Sequence, residues 1–274
     1  MFSVLNVIEY QGASIKKGDE YIYVSPDSRL SPYISHYCIS FPTPQTMPDN
    51  YTILPSANAV LVVVVDKGCV RSFLNGTNTG ADVVGAKVNT FGCLLLVKFR
   101  PGGFSAFYRF NQSELANVSL ILPDVDRGLA EDIEAALMYA NTIEVLIGTL
   151  NRIFISRLRN NPLDSVDAML DKLIQYNGCI TMRELAADLY YSEKHLRRLF
   201  IHRVGTSPKV FSRILRVNHT LTFMQKKHIN LAHIATMTGF FDQSHFIHDF
   251  QDIFGINPCE YVENMSLFYN AESF

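Results

Sequence analysis

The 274-residue sequence has no cysteine pair spaced as CxxC: Cys38, Cys69, Cys93, Cys179 and Cys259 are scattered along the chain. That excludes a zinc ribbon and a thioredoxin-like redox pair, and leaves idle or buried thiols in a reducing compartment as the ordinary reading. Net charge is nearly absent too, with 24 Lys and Arg against 26 Asp and Glu for a formal −2. A polyanionic partner must therefore be argued from local patches. Long hydrophobic runs are missing as well. The most apolar stretches, AVLVVVV (59–65) and CLLLVKF (93–99), fall far short of the roughly 20 residues that span a bilayer and read as buried strands. The first residues, MFSVLNVIEYQGASIKKGDE, lack a basic segment followed by an apolar core and a small-residue cleavage site. A cytoplasmic chain with no signal peptide and no membrane partner is expected.

Histidine is sparse where metal chemistry would need it. Residues 1–160 contain His36 alone, and the other seven of the eight histidines follow residue 190. A metal-dependent oxygenase or isomerase built on strands needs two or three histidines and a carboxylate. No nucleophile elbow, phosphate-binding glycine loop or Ser-His-Asp set is present either. No catalytic residue, cofactor or metal is expected.

Residues 1 to about 110 are rich in Val, Tyr, Phe and Thr and are punctuated by SPDS, FPTPQTMPDN, DKG, NGTNTG and RPGG. Short strands with such turns predict a β-rich sandwich or barrel. The period then changes. Leu129, Ile133 and Leu137, followed by Ile143, Leu146, Ile147, Leu150, Ile153 and Phe154, recur at helical spacing within 127–158 and predict one or two amphipathic helices. The polar break RNNPLDS (159–165) reads as the linker.

Everything beyond it is helical, with well-signed ends. Thr181 and Glu184 form a capping-box pattern. Ser192 and Asp242 are N-cap residues, and Gly205 and Gly255 suit the left-handed position that ends a helix. Ser207-Pro208 and Asn257-Pro258 each set a capping side chain before a proline at the first helical position. SEKHLRRLFIHRVGTSPKVF (192–211) returns fifty residues later as DQSHFIHDFQDIFGINPCEY (242–261), so two helix-turn-helix units joined by the helix PKVFSRILRVNHTLTFMQK are expected. The charge is not repeated. Residues 192–216 hold seven Lys or Arg against Glu193 alone, whereas 242–266 hold five Asp or Glu and no Lys or Arg.

On a helical wheel Leu196, Leu199, Phe200 and Val204 share one face, Lys194, Arg198 and His202 lie opposite, and His195 and Arg197 flank them. An apolar back with a basic front suits a helix that packs on its own domain while entering the major groove of double-stranded DNA. Protonation of His195, His202, His245 and His248 near phosphates predicts binding that strengthens as pH falls toward 6.

LAHIATMTGFFDQSHFIHDFQDIFGINPCEYV resembles the signature of the AraC/XylS family of transcription regulators, with Ile234, Ala235, Gly239, Phe240, Ser244, Phe246, Phe250, Phe254, Gly255, Pro258 and Tyr261 in register. The resemblance covers about 100 residues, roughly 164–264. It implies a seven-helix domain whose two recognition helices enter adjacent major grooves. It assigns DNA contact to Lys194, Arg197 and Arg198 in the first unit and to Gln243, Ser244, His245, Ile247 and His248 in the second. Relatives usually carry basic residues where this chain has His248, Asp249, Gln251 and Asp252, so phosphate anchoring by the second unit is expected to be weaker. An acidic helix there also suits an RNA polymerase or dimer surface.

LLLVKFRPGGFSAFYRFNQSELANVSLILPDV resembles a segment of a subset of these regulators. This implies a cupin-like β-domain that senses a small-molecule effector or forms a homodimer through the helices of 127–158. Lys98 and Arg100 are candidates to hold an anionic ligand, or else solvated residues on the outward side of their strand; Asn58 reads as a turn residue. The expected fold class is thus α+β, with a regulatory domain at 1–160, an all-α double helix-turn-helix domain at 164–264 and a tail at 265–274. The expected function is sequence-specific DNA-binding transcription regulation. The alternative is a protein-interaction module, an anti-activator or partner subunit that keeps the fold and binds another regulator.

Overall fold

The computed structural model describes residues 3–159, 164–224, 230–264 and 268–269. After a short helix α1 (Val4–Glu9), the amino-terminal half is a seven-stranded antiparallel sheet. Its strands β1 (Lys16–Lys17), β2 (Tyr21–Val24), β3 (Ile34–Ser40), β5 (Val60–Asp66), β6 (Cys69–Asn75), β8 (Cys93–Phe99) and β9 (Ser119–Ile121) lie in the order β1-β2-β3-β8-β5-β6-β9. A three-stranded sheet adds β4 (Thr52–Ile53), β7 (Asp82–Val83) and β10 (Phe268–Tyr269). Because side chains alternate along a strand, Ile22, Tyr37, Ile39, Leu61, Val63, Leu95, Val97 and Phe99 line one core. The opposite face, with Cys38, Val64 and Leu94, is buried as well. Burial on both faces explains why these strands read as unbroken apolar runs rather than as an alternation.

Two short helices, α2 (Gly85–Val88) and α3 (Leu122–Val125), precede the amphipathic region. That region is two helices, α4 (Arg127–Tyr139) and α5 (Ile143–Arg157), broken where Ala140 is extended and Thr142 accepts the Val145 N–H as an N-cap. Leu129, Ile133, Leu146, Leu150 and Phe154 close the core over the sheet. Two expectations shift. Asp164, assigned to the linker, already caps the next helix by accepting from the Val166 amide at 2.7 Å; residues 160–163 lie outside the described residues. The expected separate tail instead returns to the amino-terminal half, where Phe268 and Tyr269 pair in parallel with Thr52 and Ile53.

The described residues of the carboxy-terminal domain form seven helices: α6 (Ser165–Gln175), α7 (Met182–Leu189), α8 (Glu193–Val204), α9 (Pro208–Met224), α10 (Leu231–Met237), α11 (Gln243–Phe254) and α12 (Pro258–Glu263). The last two residues assigned to the connecting helix, Gln225 and Lys226, lie outside the described residues. Each cap read from the sequence is present: Thr181 and Glu184 bond reciprocally, Ser192 and Asp242 accept the His195 and His245 amides, and Gly205 and Gly255 are left-handed. Phe200, Phe211, Phe246, Phe250, Phe254 and Tyr261 build the helical core, which Leu54 and Ala57 of the amino-terminal half enter.

Candidate nucleic-acid interface

The first recognition helix, α8, is positioned by Leu196, Phe200 and Val204, which are fully buried against α6, α7 and α9. Lys194, Arg197, Arg198 and His202 are exposed and, with Ile201 and Asn111, line a groove of about 360 Å³. His195 is half-buried, its ring stacked on Tyr191 at 5.3 Å and 14°. Three of the seven basic residues counted in this unit are engaged in the structure. Arg203 is buried, donating to Asp164 at 2.6 Å, to Asp167 at 2.8 Å and to the Ser105 hydroxyl at 3.2 Å. Arg213 and Arg216, on α9, turn toward the second unit. Lys194, Arg197, Arg198 and Lys209 remain exposed.

In the second unit Gln243, Ser244 and His248 are exposed on α11, while Ile247 is half-buried and packs against the helical core. Three of the five acidic residues are engaged, while Glu260 and Glu263 on α12 are exposed. Asp249 is only 4% exposed and meets Arg213 at 2.9 Å and Arg216 at 3.7 Å. Asp252 pairs with Arg213, and Asp242 is occupied in capping the helix. The Arg216 guanidinium lies 5.3 Å over the Phe240 ring. The charge reversal is therefore largely a single structure shared by both units, with arginines of the connecting helix neutralising carboxylates of the second recognition helix. His245 belongs to the same knot: its Nδ1 accepts the Phe241 N–H at 3.4 Å and its Nε2 lies 3.6 Å from Asp249.

A third arrangement had no counterpart in the sequence reading. Thr77 Oγ1 donates to the Val204 carbonyl at 2.6 Å, the Ala81 amide donates to the Ile253 carbonyl at 3.2 Å, and Asn218 Nδ2 donates to the Pro55 carbonyl at 3.0 Å. The last turn of a helix has carbonyls with no intrahelical partner. Here the turn NGTNTG and its neighbour supply donors to the ends of both recognition helices. Gly205, at φ 90°, sits so close to this turn that a Cβ there would lie 2.8 Å from Thr77 Oγ1. The turn punctuation was visible in the sequence; what it touches was not.

In the amino-terminal domain, the reading of Lys98 as an outward, solvated strand residue is corrected. Lys98 is 4% exposed, paired across strands with His36 on β3 and Val60 on β5. Burial pushes its ammonium down to about 8. Burial first, then the charges of Lys98 and Arg100, push His36 down to about 4. Asn58 is no exposed turn residue: it is buried, donates to the Phe99 carbonyl at 2.7 Å, and leaves its Oδ1 unpartnered among the described residues. His36 Nε2 is likewise unpartnered. Arg100 is half-buried and donates from Nε to the Ser31 carbonyl at 2.7 Å.

Two capped helix-turn-helix units around one core, each presenting a recognition helix at the surface, define a DNA-binding class of domain. Residues 185–264 match the family described as Helix-turn-helix domain, and residues 23–120 match the Domain of unknown function (DUF6597). The carboxy-terminal domain is thus similar to this helix-turn-helix family, and its signature residues are those of the AraC type. The chain is 30% identical over 84 residues to the Uncharacterized HTH-type transcriptional regulator YidL of Escherichia coli (strain K12), covering 31% of this chain and 28% of that protein. It is 27% identical over 107 residues to the Probable transcription factor PqrA of Proteus vulgaris, covering 39% of this chain and 88% of the relative. A crystal structure of an apo ToxT variant from Vibrio cholerae aligns over 83% of this chain and 97% of its own, at 12% identity and a TM-score of 0.45. Among the described residues, no helix is long and apolar enough to cross a membrane.

Proposed function

We propose that the chain is a sequence-specific DNA-binding transcription regulator whose amino-terminal domain responds to a small anionic effector. The observation that carries the reading is the duplicated, fully capped helix-turn-helix unit with Lys194, Arg197 and Arg198 exposed on the first recognition helix. Lys194, Arg197, Arg198, His202 and Lys209 supply most of the electrostatic attraction, since each neutralised phosphate adds about 0.9 to the slope of log K against log salt. Gln243, Ser244 and His248 contribute uncharged readout from the second unit, with His195, His245 and Ile247 more packed than reading.

Lys98, His36 and Asn58, with Arg100 beside them, form the effector site of this reading. A buried ammonium with no carboxylate partner among the described residues, in the same region as two polar atoms likewise unpartnered there, favours an incoming carboxylate or similar anion. Homodimer formation uses α4 and α5, where Met138, Tyr139 and Val145 stand exposed beside a groove of about 450 Å³. The partner-module alternative and the RNA polymerase contact both rest on an acidic second unit, of which Asp249 and Asp252 are held by Arg213 and Glu260 and Glu263 stay exposed.

The test is a footprint of the purified chain on DNA that it selects from a random pool at moderate salt. Two protected major-groove segments about 10 base pairs apart are expected. No selection of any DNA at low salt overturns the reading.

A further inference from the structure

Phe241 is the opposite of what a folded domain does with phenylalanine. It is 92% exposed, immediately before the N-cap of the second recognition helix, while its neighbour Phe240 is buried. The backbone there is held: the Phe241 N–H meets His245 Nδ1, Asp242 accepts the His245 amide at 2.7 Å, and Phe240 is pinned beneath Arg216. An apolar ring is thus presented on a held backbone at the end of the helix that a helix-turn-helix domain directs at the duplex. The equivalent residue of the first unit, fifty positions earlier, is Tyr191. It is only 48% exposed because it stacks on His195. The first unit folds Tyr191 back on its own helix and offers cations beside the exposed Tyr190; the second has no cation and offers Phe241.

The chemistry left on α11 narrows what that helix can read. Guanine is usually recognised through Arg or Lys at O6 and N7, and cytosine through a carboxylate at N4. Residues 242–264 contain no Lys or Arg. Their carboxylates nearest the reading end are engaged, Asp242 as a cap, Asp249 with Arg213 and Arg216, and Asp252 with Arg213. Gln243 remains, suited to the N6 and N7 of adenine, beside the exposed Ser244 and His248, together with apolar surface, which the major groove meets only at the thymine methyl.

We infer that the second unit reads an A·T-containing half-site, with Gln243 bonding adenine and the Phe241 ring packing on a thymine methyl group. The first unit, through Arg197 and Arg198, reads guanine. The inference rests on the DNA-binding reading above and specifies its substrate.

The experiment uses the full chain and DNA from the random-pool selection. Thymine at each position of the second protected segment is replaced by uracil, which removes one methyl group and leaves every hydrogen bond. At one position uracil should weaken binding about fourfold, as expected for one apolar group taken out of contact. Phe241→Ala should weaken binding to the thymine duplex by at least as much and should not distinguish thymine from uracil. Because the ring is exposed and the uracil change leaves the protein intact, a folding defect cannot mimic this pattern. A second segment without A·T enrichment, or uracil tolerated at every position by the unaltered chain, overturns the inference while leaving DNA binding intact. Failure to select any DNA overturns the regulator reading and the inference with it.

Discussion

Arg213 donates from Nε to Asp249 Oδ1 at 3.1 Å across the seam between the two helix-turn-helix units. Arg213 lies on α9 and Asp249 on α11, so the contact fixes the connecting helix to the second recognition helix. Removing one partner of a buried ion pair strands the other in low dielectric, at a cost of roughly 3–5 kcal/mol. Arg216 stays near Asp249, so Arg213→Ala should destabilise the chain by a smaller amount, about 2–3 kcal/mol in urea unfolding. The double variant Arg213→Met/Asp249→Leu should recover only part of that loss, because no buried carboxylate is left unpaired but Arg216 loses its Asp249 partner. A double variant as unstable as the sum of its singles would show that the pair acts independently of the seam.

Arg198 and Lys209 are both exposed but are expected to fail differently when truncated. Arg198→Ala should cost about 1–3 kcal/mol on the selected sequence and relax the base preference of the first half-site. Lys209→Ala should weaken binding to all sequences alike and lower the salt slope by about one. Titrations at several salt concentrations, on specific and scrambled duplexes, separate the two. Equal binding by Arg198→Ala removes that residue from the interface.

Thr77 and Gly205 test the seam between the two domains. Thr77→Ala removes the hydroxyl that satisfies the Val204 carbonyl, worth about 1 kcal/mol for a buried bond. Gly205→Ala should cost more, because φ 90° is strained for alanine and its Cβ would press on Thr77. Thermal unfolding of both variants should show that order. A Gly205→Ala variant as stable as the parent would mean that the two domains do not meet at this turn.

Lys98 and His36 set two separate pH windows of the same sign. For Lys98 the folded value, about 8, lies below the ordinary 10.5. The unfolded chain therefore binds more protons between those values, and this contribution raises stability as pH rises from 8 to 10.5. Below 8 the full penalty is present, so Lys98→Met should stabilise the chain at pH 7 by on the order of 2 kcal/mol while abolishing any anion binding. For His36 the folded value, about 4, lies below the ordinary 6.5. Its contribution is intact above 6.5 and is lost as pH falls toward 4. Urea midpoints across pH for the parent, Lys98→Met and His36→Gln give the signs. A Lys98→Met variant less stable at pH 7 would show that its ammonium has a partner.

The helical half was legible in sequence because its signals are local. A cap such as Ser192 or Asp242 acts within three residues, a glycine such as Gly255 ends a helix through its own φ, and the apolar faces of α8 and α11 follow from spacing alone. The same locality made the exposed Lys194, Arg197 and Arg198 readable as a front. The charge reversal misled because charge counted along a chain has no address: Arg213 and Asp249 are 36 residues apart yet share a bond.

Sequence alone thus determined the two capped units, their repeat, the amphipathic helical stretch of 127–158, and the unbroken apolar strands, since each depends on dihedral preference or periodicity within one segment. Tertiary structure alone decided which charges are free. It paired Asp249 and Asp252 with Arg213, buried Lys98 beside His36, set Thr77 against Val204, and left Phe241 outside while Phe240 went in. Burial and pairing are properties of what surrounds a group, and those surroundings come from segments that adjacency in the chain does not reveal.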